Sequence, residues 1–381
     1  MIDTSDIDRW IGVPLGGADM KDPIHVNDIR RWAQGMQNPH PLYIDEDYAR
    51  ESRFGAIVAP QSFVVCTSDS HGAAPSIQGR IEGSHMLFGG DEWWFAGPRI
   101  APGDLVRQER VLVGYEIKDT KFAGPAVFAR GDTTYADSRG RAIAKQRCTS
   151  IRYLADEARK RGYWSERAPE AQWSDEELTA LERRKMEYYE TFLSLGHTRR
   201  AAVGRGDALP TRVIGPHTLL TFATEWRSFI VNVWGAFRPD GRPTSLRQAG
   251  WLSEMDKNMT AARIDPSQAD GLYKGSSRGH AHARYAQLVG LPRGYGYGAS
   301  MGAWILDYVT NWGGEWADVV HARIAYRAPV FVGDVTFLDA VVTDTTAEDR
   351  AHMDVKMTNQ RDQLVATASV ELRLAPETVA T

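Results

Sequence analysis

The sequence predicts an α+β protein in which one unit, a loop followed by a helix and an antiparallel sheet, occurs twice. Each half contains a short helical pattern, a loop, an apolar segment, a proline, a Gly-Asp turn and long β-like runs, in that order. The apolar segment of the second half, residues 299–312, has Asp307 as its single acid or base. A long apolar helix followed by several strands indicates a sheet wrapped around that helix.

The elements of each half are predicted from local patterns. Residues 126–135 and 142–153 are β-like runs joined by a DSRG turn, as expected for a hairpin. Residues 61–68 (QSFVVCTS) predict the start of a buried helix in the first half, and residues 217–229 have a helical pattern in the second. Residues 319–375 contain the β-like runs that complete the second sheet.

Two short segments align the halves. YIDEDYA begins at Tyr43 and HAHARYA begins at His280, and this register places Asp45 opposite His282. The segment that leads to His280 is much longer than the one that leads to Tyr43. The second half is therefore predicted to carry an insertion over about residues 228–275.

A charged segment between the halves predicts a helical connector. Ser174 and Glu177 form a capping-box pattern at the start of its main helix. We expect an N-terminal unit, this connector, and a C-terminal unit that contains the insertion. Their predicted bounds are residues 1–153, 154–203 and 204–381.

Composition restricts the class of protein. A hydrophobic fraction of 43% and a charged fraction of 25% are typical of a globular chain, and a net charge of −4 predicts no nucleic-acid partner. The sequence has no signal-peptide pattern and no run of about 18 apolar residues. Its two cysteines, Cys66 and Cys148, are too few for a disulfide framework. We expect a cytoplasmic protein with no membrane partner.

The stretch that begins at His280 carries residues suited to acid–base chemistry. His280 and His282 are one residue apart, and histidine exchanges protons near neutral pH. Gly298 starts the apolar helix, where an unsatisfied N–H can stabilise a developing negative charge. The alternatives are loop histidines and a glycine needed for packing. A His-x-His pair also suits a metal, but no third ligand has the right spacing, so we expect no metal site.

Further residues are candidates for contact with a substrate. They are Asn38, Tyr43, Trp226 and Tyr297. Trp93, Trp94 and Trp234, like Trp226, could line an apolar tunnel, although core packing also explains them.

Three stretches resemble a known family. NPHPLYIDEDYARESRFGAIVAP resembles the N-terminal half of the MaoC-like, FAS1-type dehydratases, the double hotdog (R)-specific enoyl-CoA hydratases. GHAHARYAQLVGLPRGYGYGASMGAWILDYV and YRAPVFVGDVTFLDAVVTD resemble the second half. The resemblance implies a double hotdog fold, with two antiparallel sheets each wrapped around a central helix to form a pseudo-dimer. It also implies addition or removal of water across the Cα–Cβ bond of an acyl thioester.

The resemblance assigns roles by the family motif Asp-x-Asn-Pro-(apolar)-His. His280 matches the family histidine, and Gly298 matches the helix-start glycine whose N–H polarises the thioester carbonyl. In the first half Asn38, His40 and Tyr43 stand where the family has aspartate, asparagine and histidine. This departure implies that the first half is catalytically degenerate.

The second half lacks the Asp-x-Asn-Pro segment before His280, so its acid–base partner must come from elsewhere. The candidates are His282 and three acids of the insertion, Glu254, Asp256 and Asp270.

These observations predict a hydratase or dehydratase that acts on an acyl thioester of CoA or of a carrier protein, without a cofactor, in a chain that can form a homodimer. The missing motif leaves two alternatives. One is a non-catalytic protein that binds an acyl or polyketide ligand or activates a partner. The other is a repurposed hotdog enzyme of secondary metabolism. The acyl chain and the direction of reaction stay open.

Overall fold

The strands of the described residues form one antiparallel sheet. The structure is a computed structural model that describes residues 2–15, 20, 22–200, 203–229, 278–280, 282–347 and 349–374. Its strands are β1 (Ser84–Phe95), β2 (Arg107–Thr120), β3 (Gly124–Ala136), β4 (Ala142–Leu154), β5 (Ala208–Ile214), β6 (Ala317–Tyr326), β7 (Thr336–Ala347), β8 (Arg350–Asn359) and β9 (Leu364–Leu374). In the described chain they lie in the order β2-β3-β4-β1-β6-β9-β8-β7-β5. The predicted hairpin of β3 and β4 is confirmed.

The described helices lie before the first strand and between later ones. They are α1 (Ser5–Asp8), α2 (Val26–Gly35), α3 (Glu46–Glu51), α4 (Ala155–Arg161), α5 (Tyr163–Arg167), α6 (Asp175–Leu193), α7 (Leu219–Ser228), α8 (Ala283–Leu288) and α9 (Gly298–Gly313). Short 3₁₀ turns at Pro41–Tyr43 and Arg278–His280 precede α3 and α8. The order 3₁₀ turn, helix, sheet therefore occurs twice, and Tyr43 and His280 each end their turn.

The two halves join through the pairing of β1 with β6. Gly90 lies opposite Ala325 and Trp94 opposite His321 in this antiparallel pair. A side chain at Gly90 would come within 2.4 Å of the Ile324 carbonyl oxygen, so only glycine permits this approach. The double hotdog prediction is confirmed, with the two sheets fused edge to edge into one.

Helix α9 forms the centre of the core. All of its residues are buried, and it packs against β1, β6 and β9. Gly302 and Gly313 allow close approach, since a Cβ there would lie 2.6 Å from the Tyr326 hydroxyl and 2.3 Å from Ala317 Cβ. The prediction of a sheet wrapped around this apolar helix is confirmed.

Among its described residues, the first half has no helix as long as α9 before its strands. The buried helix predicted to start at residue 61 is instead a series of 3₁₀ segments, at Gln61–Thr67, Asp69–Gly72 and Ala74–Ile77. His71 and Gly72 have positive φ values of 55° and 79°, which interrupt a right-handed helix. This break places the His71 side chain in the core.

The helical connector packs against the core of the protein. Its capping box is confirmed, because Ser174 Oγ accepts from the Glu177 N–H and the Glu177 carboxylate accepts from the Ser174 N–H. Leu181, Tyr188 and Phe192 on α6 are buried, and α6 packs against β5 and α9. The domain bounds remain a prediction.

Most of the predicted insertion lies outside the described residues, including Trp234, Glu254, Asp256 and Asp270. None of the helices in the described ranges is long and apolar enough to cross a membrane. Cys66 and Cys148 are both buried and form no disulfide.

Arg212, on β5, is a fully buried cation beside α9. Its guanidinium donates to the carbonyl oxygens of Trp304, Met36 and Gln37, each at 3.0 Å. Asp307 is also buried; burial raises the pKa of its carboxyl, and the Arg212 charge acts against that rise. Arg212 therefore ties α9 to the end of α2.

Replacing Arg212 with leucine should lower the free energy of unfolding by about 3 kcal/mol, because three buried carbonyl oxygens and the nearby Asp307 lose their positive partner. Arg205→Ala is the matched control, since Arg205 is exposed in a turn, and it should change stability by less than about 0.5 kcal/mol. Urea denaturation measures both. Equal small losses for the two variants would show that the Arg212 contacts contribute nothing.

Candidate active site

The N-terminus of α9 carries the partial positive charge that suits a group with negative charge. Gly298 is its first residue, and the N-cap residue Tyr297 makes no side-chain hydrogen bond to the first turn. The first N–H groups of a helix have no partner within it and carry partial positive charge. A Cβ at Gly298 would lie 2.4 Å from Cβ of Phe88 on β1, so packing also requires glycine here.

His280 lies beside this helix start. Its ring packs against the rings of Tyr295 and Tyr297, with centroids 4.3 and 4.2 Å away. Nδ1 is 2.7 Å from the Tyr295 carbonyl oxygen. Because a carbonyl only accepts, Nδ1 must carry the hydrogen, and the lone pair of the neutral ring is on Nε2.

His280 is partly buried, and desolvation by the rings around it keeps it uncharged. Desolvation lowers the pKa of the imidazole to about 4, although the hydrogen bond to the Tyr295 carbonyl acts in the other direction. The carbonyl is held in place because Tyr295 pairs with Phe331, and the Gly296 N–H donates to the Val330 carbonyl oxygen at 2.8 Å. At neutral pH, His280 is therefore an oriented base.

Two further histidines complete a cluster with His280, and neither was predicted from the sequence. His85 Nε2 is 3.0 Å from the Tyr295 hydroxyl, and the His71 ring centroid is 5.8 Å from that of Tyr297. Burial lowers the pKa of both to about 3. His71 Nε2 and His85 Nδ1 are buried without a hydrogen-bond partner. The positive φ of His71 is the kind of backbone strain that concentrates at functional sites.

Trp226 and Tyr297, two of the predicted substrate contacts, do lie together in this site. Their ring centroids are 5.7 Å apart, and the Trp226 ring is 4.9 Å from that of His71. With His280 they form an aromatic wall beside the start of α9. Trp93 lies elsewhere, stacked on Phe95 in the core.

Asn38 and Tyr43 are not brought to His280. Asn38 accepts a hydrogen bond from Asn311 at 3.0 Å, and Asn311 lies 13 residues beyond Gly298, or about 20 Å along the helix. Tyr43 is buried beside Arg99, and burial raises the pKa of its hydroxyl to about 12. The equivalent residue of the first half is thus a packed tyrosine.

His282 is also separate from the cluster. It is exposed, it is the N-cap residue of α8, and its ring faces Tyr285 at 6.1 Å. Among the described residues, no group of three or more histidine, cysteine or acidic side chains could hold a metal ion.

Glu225 on α7 is the other residue of this site that was not predicted. It is completely buried, and neither carboxyl oxygen has a hydrogen-bond partner. Burial raises its pKa to about 8, and Ser300 in the first turn of α9 acts against that rise. The sequence did contain an indication that Glu225 is buried, because this acidic residue lies on the same apolar helix face as Phe222 and Phe229.

Nitrogen-15 NMR should find His280 protonated on Nδ1 alone at neutral pH, with a titration midpoint near pH 4. The His280→Asn variant assigns its signals. Since the unfolded histidine takes up its proton near pH 6.5, His280 should reduce stability as pH falls from about 6.5 to about 4. A midpoint near 6.5, or hydrogen on Nε2, would contradict this geometry.

Comparison with known proteins agrees with the fold and with the resemblance of the first half. Residues 9–146 match the FAS1-like dehydratase domain region. The chain is 27% identical over 161 residues, 39% of its length, to a probable enoyl-CoA hydratase alpha subunit of Thermomonospora curvata. It spans about half of that curated relative (50%).

Solved structures match nearly the whole chain. A MaoC-like dehydratase superposes with a TM-score of 0.60 at 14% identity, over 97% of this chain and 100% of the other. A conserved hypothetical protein of Mycobacterium tuberculosis, described as having a double hotdog fold, gives a TM-score of 0.51 at 14% identity, over 96% and 97%. The chain therefore has the double hotdog fold, and its N-terminal part resembles the FAS1-like dehydratase domain region.

Proposed function

We propose that this protein adds water to enoyl thioesters and removes it from 3-hydroxyacyl thioesters, at one site. The observation that carries this proposal is a neutral histidine, oriented through Nδ1, beside the N-terminus of a buried helix. A base for water and an anion-stabilising helix start are two of the groups that hydration of a conjugated thioester uses.

The chemistry follows from the positions of the two groups. The thioester carbonyl oxygen accepts a hydrogen bond from the Gly298 N–H, which draws electrons from the Cα–Cβ double bond. His280 Nε2 takes a proton from water as the water oxygen bonds to Cβ. The electron pair moves through Cα to the carbonyl oxygen, where the helix dipole stabilises the enolate. Cα then takes a proton from an acid of the site as the enolate collapses to the 3-hydroxyacyl thioester. Dehydration follows the reverse path, and His280 then donates its proton to the departing hydroxyl.

A single site is supported by the asymmetry of the repeat. Where the second half has His280, the first has Tyr43, whose hydroxyl has a pKa of about 12 and is a poor base near neutral pH. The side chains around it are packed, with the His40 ring centroid 5.4 Å from that of Tyr43. The first half contributes side chains that line the site, namely Phe88 beside Gly298 and His71 beside Trp226.

The substrate class rests on the relatives and on the aromatic wall. The curated relative is named an enoyl-CoA hydratase subunit, which favours a CoA thioester here, with a carrier-protein thioester as the other form. Trp226 and Tyr297 offer an apolar surface for the acyl chain. A homodimer and a cytoplasmic location belong to the same proposal.

A non-catalytic acyl-binding protein is the second candidate function. The feature that favours it is the sequence before His280, GSSRGHAH, which has no Asp-x-Asn-Pro. Such a protein would bind enoyl and 3-hydroxyacyl thioesters without interconverting them.

His280→Ala should lower kcat for hydration of an enoyl-CoA by about 100-fold or more, because general base catalysis of this kind contributes about 10²–10⁴-fold. Loss of the enoyl thioester absorbance measures the rate across a panel of acyl chains. His282→Ala should keep kcat within about threefold, since that ring is exposed on α8.

Full turnover by His280→Ala would refute the mechanism. Binding of the same thioesters by the wild type with no change in absorbance would favour the acyl-binding candidate.

A further inference from the structure

Glu225 lies over the first turn of α9, on the side of α7 that faces the site. Phe222, one turn earlier, packs against Gly296, where a Cβ would be 3.0 Å from the phenylalanine ring. Trp226, the next residue, packs on Tyr297. Ser300, two residues beyond Gly298, affects the pKa of the Glu225 carboxyl. The carboxyl is therefore adjacent to the helix start.

Glu225 differs from the carboxyl groups that support the fold. Asp91 accepts a hydrogen bond from Gln146 Nε2 at 2.8 Å, and Asp307 accepts one from Ser62 Oγ at 2.6 Å. Buried carboxyl groups almost always have such partners, because an unpaired one is costly to desolvate. Neither oxygen of Glu225 has a hydrogen bond of normal geometry, and the Ser300 hydroxyl is close enough only to lower its pKa, so packing alone does not explain the position of this carboxyl.

We propose that Glu225 is a second catalytic residue, which delivers a proton to Cα during hydration and removes it during dehydration. The assignment rests on the proposed function, because hydration needs a proton at Cα that the base acting on water cannot supply at the same moment. A carbonyl held by the Gly298 N–H places Cα, one bond from the carbonyl carbon, beside the first turn of α9.

The step balances with these two groups alone. His280 Nε2 takes one proton from water, and the resulting hydroxyl oxygen bonds to Cβ. The enolate then collapses, and Cα takes the proton of the Glu225 carboxyl. The site is left with an imidazolium and a carboxylate, and transfer of one proton through water restores both. No oxidant, metal or cofactor takes part.

The surroundings of Glu225 favour its protonated form at neutral pH. Burial raises its pKa to about 8, and Ser300 on α9 opposes that rise. The titratable groups across the adjoining Trp226 and Tyr297 rings are His71 and His280, and burial keeps both uncharged. No described neighbour therefore provides a positive charge that would stabilise an ionised Glu225, and the protonated carboxyl can donate its proton.

The test compares Glu225→Gln, Glu225→Met and Glu225→Asp with the wild type in the hydration assay. The Gln and Met variants should lower kcat by about 100-fold or more and leave KM within about threefold, whereas Asp should retain more activity than either. Met removes the carboxyl without burying an amide, so it stays informative if the Gln variant is unstable. Glu176→Gln, an exposed glutamate at the start of α6, is the control.

The pH profile separates proton transfer from a structural role. Because hydration needs the protonated carboxyl, wild-type kcat should fall as pH rises through about 8, and the residual activity of Glu225→Gln should lack this fall. If kcat and its pH profile are unchanged in the Gln and Met variants while His280→Ala loses activity, the role of Glu225 is wrong and the proposed function stands. A wild type that hydrates no enoyl thioester would overturn both proposals.

Discussion

The complete burial of helix α9 is the constraint on which the rest of the structure depends. A helix with no exposed face must find partners for its polar side chains within the protein. Asp307 accepts a hydrogen bond from the Ser62 hydroxyl, and Asn311 donates one to Asn38 Oδ1. The same burial removes water from its N-terminus, where the dipole acts with little screening. Burial of α9 thus determines both the hydrogen bonds of its polar side chains and the strength of the dipole at its N-terminus.

Burial also decides the charge of each titratable group around that helix start. An imidazole is held neutral, and a carboxyl is held protonated, because the ionised form of either loses its hydration. His280 and Glu225 are therefore pushed in opposite directions, one into the base form and the other into the acid form. Two groups with separated pKa values are what acid–base catalysis needs near neutral pH.

The sequence was sufficient for the architecture and for part of the site. The repeat, the apolar helix and the hairpin have strong periodic patterns, and His280, Trp226 and Tyr297 lie near the helix start. Asn38 was predicted to contact the substrate because its place in the chain matches the family motif. It packs near the other end of α9 from Gly298, and its contact with a substrate stays a prediction.

The remaining site residues depend on tertiary contacts that no local pattern encodes. His71 reaches the core because the backbone turns to a positive φ there, where the sequence favoured a continuous helix. His85 reaches Tyr295 from strand β1 across 210 positions of the chain.

Strand β1 belongs to the first half, yet it touches the site of the second through His85 and Phe88. Neither half therefore contains the whole site, and separating them would dismantle it. In an assembly of identical subunits, every substitution appears in all copies at once. Two halves fused in one chain can change independently. The first half can therefore have a tyrosine in place of the histidine and serve a structural role, while the second half retains the histidine at the site.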